Sequence, residues 1–173
     1  TATAAGAAIV GRGGDGVRIG AACVGRVCDL GITDMNNMGA AMAPAAADTL
    51  TRFFADTGTG PADYAMIVTG DLGQVGSTLL RQLMEHSGTP LGDNYTDCGL
   101  LLFDRARQDV HAGGSGCGCS ASVLCAHFLP LLESGKLRDL LFCPTGALMS
   151  PTSSQQGESI PGICHTVLLH AAG

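Results

Sequence analysis

No tryptophan occurs in the 173 residues and only two tyrosines do, so the chain has no aromatic platform of the kind single-stranded nucleic acids stack on. Positive charge is equally scarce. Nine Lys and Arg residues are scattered through a chain of net charge −6, whereas phosphate contacts need them clustered. Nucleic acid is excluded as a partner on both counts. Long hydrophobic runs are missing too. The longest, Val123 to Leu132, is broken by His127 and Pro130 and is about half what a bilayer requires. With no basic amphipathic helix either, membrane association would have to come through other proteins. No charged-then-apolar leader opens the chain, so no signal peptide is expected. It starts at Thr1 without a methionine, which reads as a boundary inside a longer protein. Aspartate and glutamate are dispersed, with no calcium-loop pattern.

What is present is apolar. Hydrophobic residues make up 46% and charged residues 14%, enough for a large core in one domain. The eight cysteines lie in apolar segments of a chain too large to need staples. They read as reduced, buried thiols in a cytosolic setting rather than as a disulfide framework.

The first thirty residues read as a β-hairpin: AAGAAIVG (4–11), a GGDG turn (13–16) and β-rich VRIGAACVGRVCDLG (17–31). Gly11-x-Gly13-x-x-Gly16 is formally a dinucleotide fingerprint, but a strand-like stretch follows where the motif needs a helix. Cys23 and Cys28 are an odd number of residues apart, hence on opposite faces of such a strand. A helix is expected over 44–56, with Pro44 in its first turn and Leu50, Phe53 and Phe54 opposite Asp48 and Arg52. YAMIVTGD (64–71) reads as a buried strand, and Asp71 as the cap of a helix carrying Val75, Leu79 and Leu83 on one face. GLLLFD (99–104) is expected as a strand. An apolar helix from about 119 to 134, and strands at 138–146 and 162–170, complete an α/β layered pattern.

Residues 111–122, HAGGSGCGCSAS, hold four glycines and two cysteines between a strand and a helix. Backbone N–H groups converge in such a place, which suits a carboxylate or phosphate. A Walker loop is ruled out for want of Lys followed by Ser or Thr. Zinc would have Cys117, Cys119 and His111, but no second ligand pair. A nucleophilic thiol at a helix start and a plain glycine-rich turn both stay open. Elsewhere, His165 and His127 read as core histidines, and His86 and His170 as solvated. Cys143 ends a strand, where α/β sites gather, yet suits a buried structural role equally.

Several segments resemble one family: GRVCDLGITDMNNMGAAMAPAAADT, IVTGDLGQVGS, DCGLLLFD, HAGGSGCGCSAS and PTGALMSPTSSQQGESIPGICHTV. They are similar to the C-terminal half of stage V sporulation protein AD, a thiolase-fold family of spore-forming bacteria, across nearly the whole chain. The resemblance implies an α/β, thiolase-like layered fold. Residues 1–34 would be a closing β-hairpin of the N-terminal half, and residues 35–173 the C-terminal βαβαββ half. Such a half leaves an apolar face uncovered, so a homo-oligomer or pairing with the missing N-terminal half is expected.

The superfamily's condensing enzymes use a cysteine in the N-terminal half and two C-terminal residues, His/His or His/Asn. Read across, those two fall near Thr69 and Cys117, and neither is the enzyme residue. One lost oxyanion donor costs about 3 kcal/mol of barrier, so a non-enzymatic binder with no cofactor and no resident metal is implied. Cys143 stands near the thiolases' second cysteine, in a loose match. The family's role implies binding of dipicolinic acid, alone or as its calcium chelate, during its uptake into or release from spores. It also implies partners from the same operon and a place peripheral to the spore inner membrane. The residues expected around the ligand are Thr69, Asp71, His111, Gly113, Gly114, Ser115, Gly116, Cys117 and Cys143. An acyl-CoA-dependent condensing enzyme and a structural subunit of a spore membrane complex are the competing readings.

Overall fold

The computed structural model describes residues 3–113 and 116–173. Its elements, in chain order, are β1 (Arg18–Cys23), α1 (Met38–Thr57), β2 (Ile67–Thr69), α2 (Gly73–His86), β3 (Tyr95–Asp97) and α3 (Cys98–Leu102). There follow α4 (Cys119–Val123), a π-helical turn (Leu124–Phe128), α5 (Leu129–Glu133), β4 (Asp139–Cys143), β5 (Thr145–Ala147), α6 (Pro151–Gln155), β6 (Gly162–Cys164) and β7 (Thr166–His170).

Five strands form one mixed sheet in the order β1-β7-β4-β2-β3, with β3, β2 and β4 parallel and β7 and β1 antiparallel. With the small β5–β6 ribbon and the short α6 between its strands set aside, the order from β2 onward is β-α-β-α-β-β. This mixed α/β architecture is consistent with the thiolase-like half that the resemblance implies.

Side chains on the central strands alternate between two cores, as the pleat requires. Ile67 and Leu141 enter a core with Leu50, Phe53, Phe54, Leu80 and Met84 of α1 and α2. Val68, Leu140 and Phe142 enter the other, with Cys119, Val123, Phe128 and Leu132. Helices therefore cover both faces of the sheet. Helix α1 keeps its expected apolar face, and Asp48 on the far side holds both Arg26 and Arg52.

Several expectations change. Helix α1 begins at Met38 rather than Pro44, because the Asn37 side chain accepts from Ala40 N at 3.3 Å and caps it. Pro44 therefore sits inside the helix. The GLLLFD strand is instead helix α3; the strand lies just before it, and the Asp97 side chain caps the helix by accepting from Gly99 N. On α2 the buried side carries Gly76, Ser77, Leu80 and Met84, while Val75 and Leu83 are exposed. The apolar helix after the glycine loop widens into a π turn whose i→i−5 bond runs from Leu129 N to Leu124 O. It stands next to Pro130, which lacks an N–H and crowds the carbonyl four residues back.

No hairpin forms among described residues 3–31. The single strand there, β1, pairs with β7 at the other end of the chain. Because β1 ends at Cys23, Cys28 is outside it in an isolated bridge to Gly162, and both thiols pack against the same core. His165 and His127 are exposed, not core, and His165 Nδ1 accepts from Gly25 N at 3.0 Å. Residues Ile9, Val10, Ile19, Val24, Val27 and Leu30 all lie exposed. Among the described residues no helix is long and apolar enough to cross a membrane.

Candidate functional site

At the carboxyl ends of the parallel strands β2, β3 and β4 the chain turns sharply three times, and those turns build the candidate site. After Thr69 the backbone passes through Gly70, whose N–H donates to Cys143 O at 3.1 Å. A Cβ at Gly70 would stand 2.6 Å from Thr145 N, so only glycine allows this close approach. Gly73 then opens α2 with φ +60°.

The N-terminus of α2 is closed by Asp97, not by Asp71. Asp97 is fully buried, and its carboxylate accepts from Thr69 Oγ1 (2.7 Å), Leu72 N (2.9 Å), Gly73 N (3.0 Å) and Gly99 N (3.0 Å). Burial pushes this carboxyl above its ordinary value, with the hydrogen bonds from Thr69, Leu72 and Gly73 opposing the shift and the charge of Asp71 adding to it. Thr69 also bonds the Tyr95 hydroxyl at 2.9 Å, and burial holds that phenol well above its usual range.

Asp71 is released from capping to hold the glycine loop. Its Oδ2 accepts from Gly116 N at 2.7 Å, and its own N–H donates to Thr145 Oγ1 at 3.2 Å. A second tie runs from Gln74 N to Ala112 O at 2.7 Å. Between the loop, the start of α2 and residues 35–42 lies an open cleft of about 470 Å³. Its lining includes Met35, Asn36, Asn37, Met38, Met42, Asp71, Leu72, Val75, Gly116, Cys117, Ser120 and Thr145.

Of the residues singled out from sequence, Asp71, Gly116 and Cys117 meet at this cleft. Thr69 lies beneath it, fully buried, its hydroxyl given to Asp97. Gly113 is buried with φ +83° beside Gly99 and Arg105. His111 does not line the cleft: its side chain is 92% exposed and lies 3.7 Å from Asp109. Cys143 is fully buried at the end of β4, where Thr166 Oγ1 donates to its sulfur at 3.5 Å. Gly114 and Ser115 lie outside the described residues. Asn36, Asn37 and the methionines before and within α1 were missed as site residues. The one signal for them was a side-chain cap in DMNNMGAA, which fixes where the helix and therefore the cleft wall begin. Asp97 was missed because its partners Thr69, Leu72 and Gly73 are far away in sequence.

The cysteines are less uniformly buried than their composition suggests. Cys98, Cys119, Cys143 and Cys164 are buried, Cys117 is exposed on the cleft, and no disulfide forms among the described residues. Burial pushes the Cys143 thiol up to about 12 and raises Cys98 and Cys164 as well. A thiol-reactive disulfide reagent at pH 8 is therefore expected to show a fast phase that Cys117→Ser removes, with the buried four reacting only on unfolding. Survival of that phase in the variant would assign it to the half-buried Cys23, Cys28 or Cys125 instead.

Fold and site together define a mixed α/β protein with a ligand-sized cleft beyond its strand ends, the position where α/β sheets take small molecules. A family model for Stage V sporulation protein AD matches residues 1–170, and the chain belongs to that family. It is 46% identical over 173 residues to the stage V sporulation protein AD of Bacillus subtilis (strain 168). That match covers all of this chain and 51% of the relative, so the chain spans about half the relative's length.

Proposed function

We propose that the cleft is a binding site, not a reaction centre, and that it takes dipicolinic acid as its calcium chelate within the family's sporulation role. The observation that carries this reading is the cleft's charge. Among the described residues its lining has one carboxylate, Asp71, and no Lys, Arg or His. A free pyridine dicarboxylate is a dianion and would meet like charge there. The calcium chelate arrives neutralised, and its metal favours an anionic wall. The volume suits a ligand of that size.

The non-enzymatic reading draws support from Thr69 and Cys117. The hydroxyl nearest one expected acid/base position is buried and committed to Asp97, so it offers nothing to a developing oxyanion. A thiol, a poor hydrogen-bond donor, stands near the other. The exposed apolar residues of the first thirty positions support pairing with a further polypeptide, either the relative's other half or a protein of the same operon.

Calorimetric titration with dipicolinate, with and without calcium, tests the reading. Saturable heat is expected with calcium and much less without it. Asp71→Asn should weaken the calcium complex about tenfold or more, as loss of a charged contact does. Equal binding with and without calcium would discard the chelate. Turnover of acyl-CoA thioesters would instead favour a condensing enzyme.

A further inference from the structure

We propose that Met35, Met38 and Met42, together with Val75, form a ring-selecting wall, so that the cleft prefers a planar aromatic acid to a saturated acid bearing the same carboxylates. This rests on the small-acid reading above and names what that site discriminates.

The wall grows out of the helix packing. A Cβ at Gly39 would stand 2.8 Å from Gly76 N, so α1 and α2 touch backbone to backbone at that crossing. Met38 and Val75 are the chain neighbours of these two glycines, and both line the cleft. Met38 and Met42 are four residues apart on α1 and share a face. Burial grades along the set: Met42 is anchored in the core at 7% exposure, Met38 is partly buried, and Met35 and Val75 lie open at 50% and 44%. Core packing therefore does not account for the outer two, although both line the cleft.

The rest of the described lining carries its polar groups on Asn36, Asn37, Asp71, Ser120 and Thr145, beside Leu72, Ala112, Cys117 and glycines. A site with one thioether-rich set and one polar set suits a flat molecule with polar groups on its rim. Thioether sulfur is polarisable and rests favourably about 5 Å from an aromatic ring. A puckered saturated ring presents neither a flat face nor a π system.

The test uses the full chain labelled with ¹³C at the methionine methyls, titrated in calcium with dipicolinate and with cis-piperidine-2,6-dicarboxylate. Dipicolinate is expected to move the Met38 and Met42 methyl signals by ring current while Met84, fully buried and outside the cleft, stays still. Met38→Asn should cost dipicolinate about tenfold in affinity and leave the saturated acid nearly unchanged. An unfolding midpoint close to that of the parent chain shows that the variant is folded. Bound dipicolinate without methyl shifts, or an equal loss for both acids, overturns the wall. If neither acid binds, the small-acid reading fails, and the wall is judged with 2-naphthoate. Shifts at Met38 and Met42 then keep it, and their absence removes it.

Discussion

Asp97→Ala is expected to lower the unfolding free energy by about 4 kcal/mol, because four buried donors lose their acceptor at once. Two of them, Leu72 N and Gly73 N, are N–H groups at the start of α2, which have no partner within the helix. The other two tie in the end of β2 and the start of α3. Asn is no rescue, since its NH₂ would face donors in place of one oxygen. Urea titration measures the loss as a shifted midpoint at constant slope. A loss below about 1 kcal/mol would mean that water takes over the acceptor role.

The same residue sets a pH dependence of unusual sign. Its carboxyl is raised above 3.8 in the folded chain, so between that value and the folded one the native state binds more protons than the unfolded state. Stability from this group is then fully present below the ordinary carboxylate range and is lost as pH rises through the folded value. Removing the carboxyl should flatten this part of the stability profile. A mildly acidic profile identical in parent and variant would argue against the raised value.

Gly76→Val carries the second large effect. A Cβ there would stand 2.7 Å from Gly39 Cα and 2.8 Å from Gly39 O. Both are backbone atoms, so no side chain can swing aside. The helices must separate, at about 3 kcal/mol, and a β-branched residue in mid-helix adds a little more. Because the cleft wall hangs on this crossing, ligand heat should fall along with stability. Gln82→Val, exposed on the same helix, is the control and is expected to change stability by no more than about 0.5 kcal/mol. Similar effects at both positions would show that the crossing is softer than its geometry.

What could be read from sequence follows the range of the forces involved. Strand β2 was legible as a short apolar run closed by turn residues, and the face of α1 because Leu50, Phe53 and Phe54 recur at helical spacing. The expected strands 138–146 and 162–170 hold β4 and β7, but each breaks, at Pro144 and His165, into two strands of different sheets. GLLLFD was not legible, since a short apolar run has no period of its own. Its state was decided by Asp97 capping one residue earlier. The stripe on α2 was misphased for a related reason. Val75, Leu79 and Leu83 fit a helical face as well as Leu80 and Met84 do, and Gly76 against Gly39 picks the side. For the site, Asp71 and the glycine loop were legible as a pair of turns. Their coupling through Gly116 N, and the exchange of roles between Asp71 and Asp97, depend on contacts across the sheet that no local pattern records.

The place of β7 has a bearing on how the chain assembles. It lies between β4 and β1 and is the only described strand that pairs with β1. A chain emerging amino end first releases Arg18–Cys23 well before Thr166–His170, the only described strand it pairs with. Closure of the sheet is then among the last events, the slow, long-separation kind of pairing. Until it happens, Leu169 of β7 and the half-buried Ala21 and Cys23 of β1 stay open to neighbouring chains. Residues Thr166–His170 act as a keystone: without them two ladders are lost, and β1 loses its pairing to the other described strands.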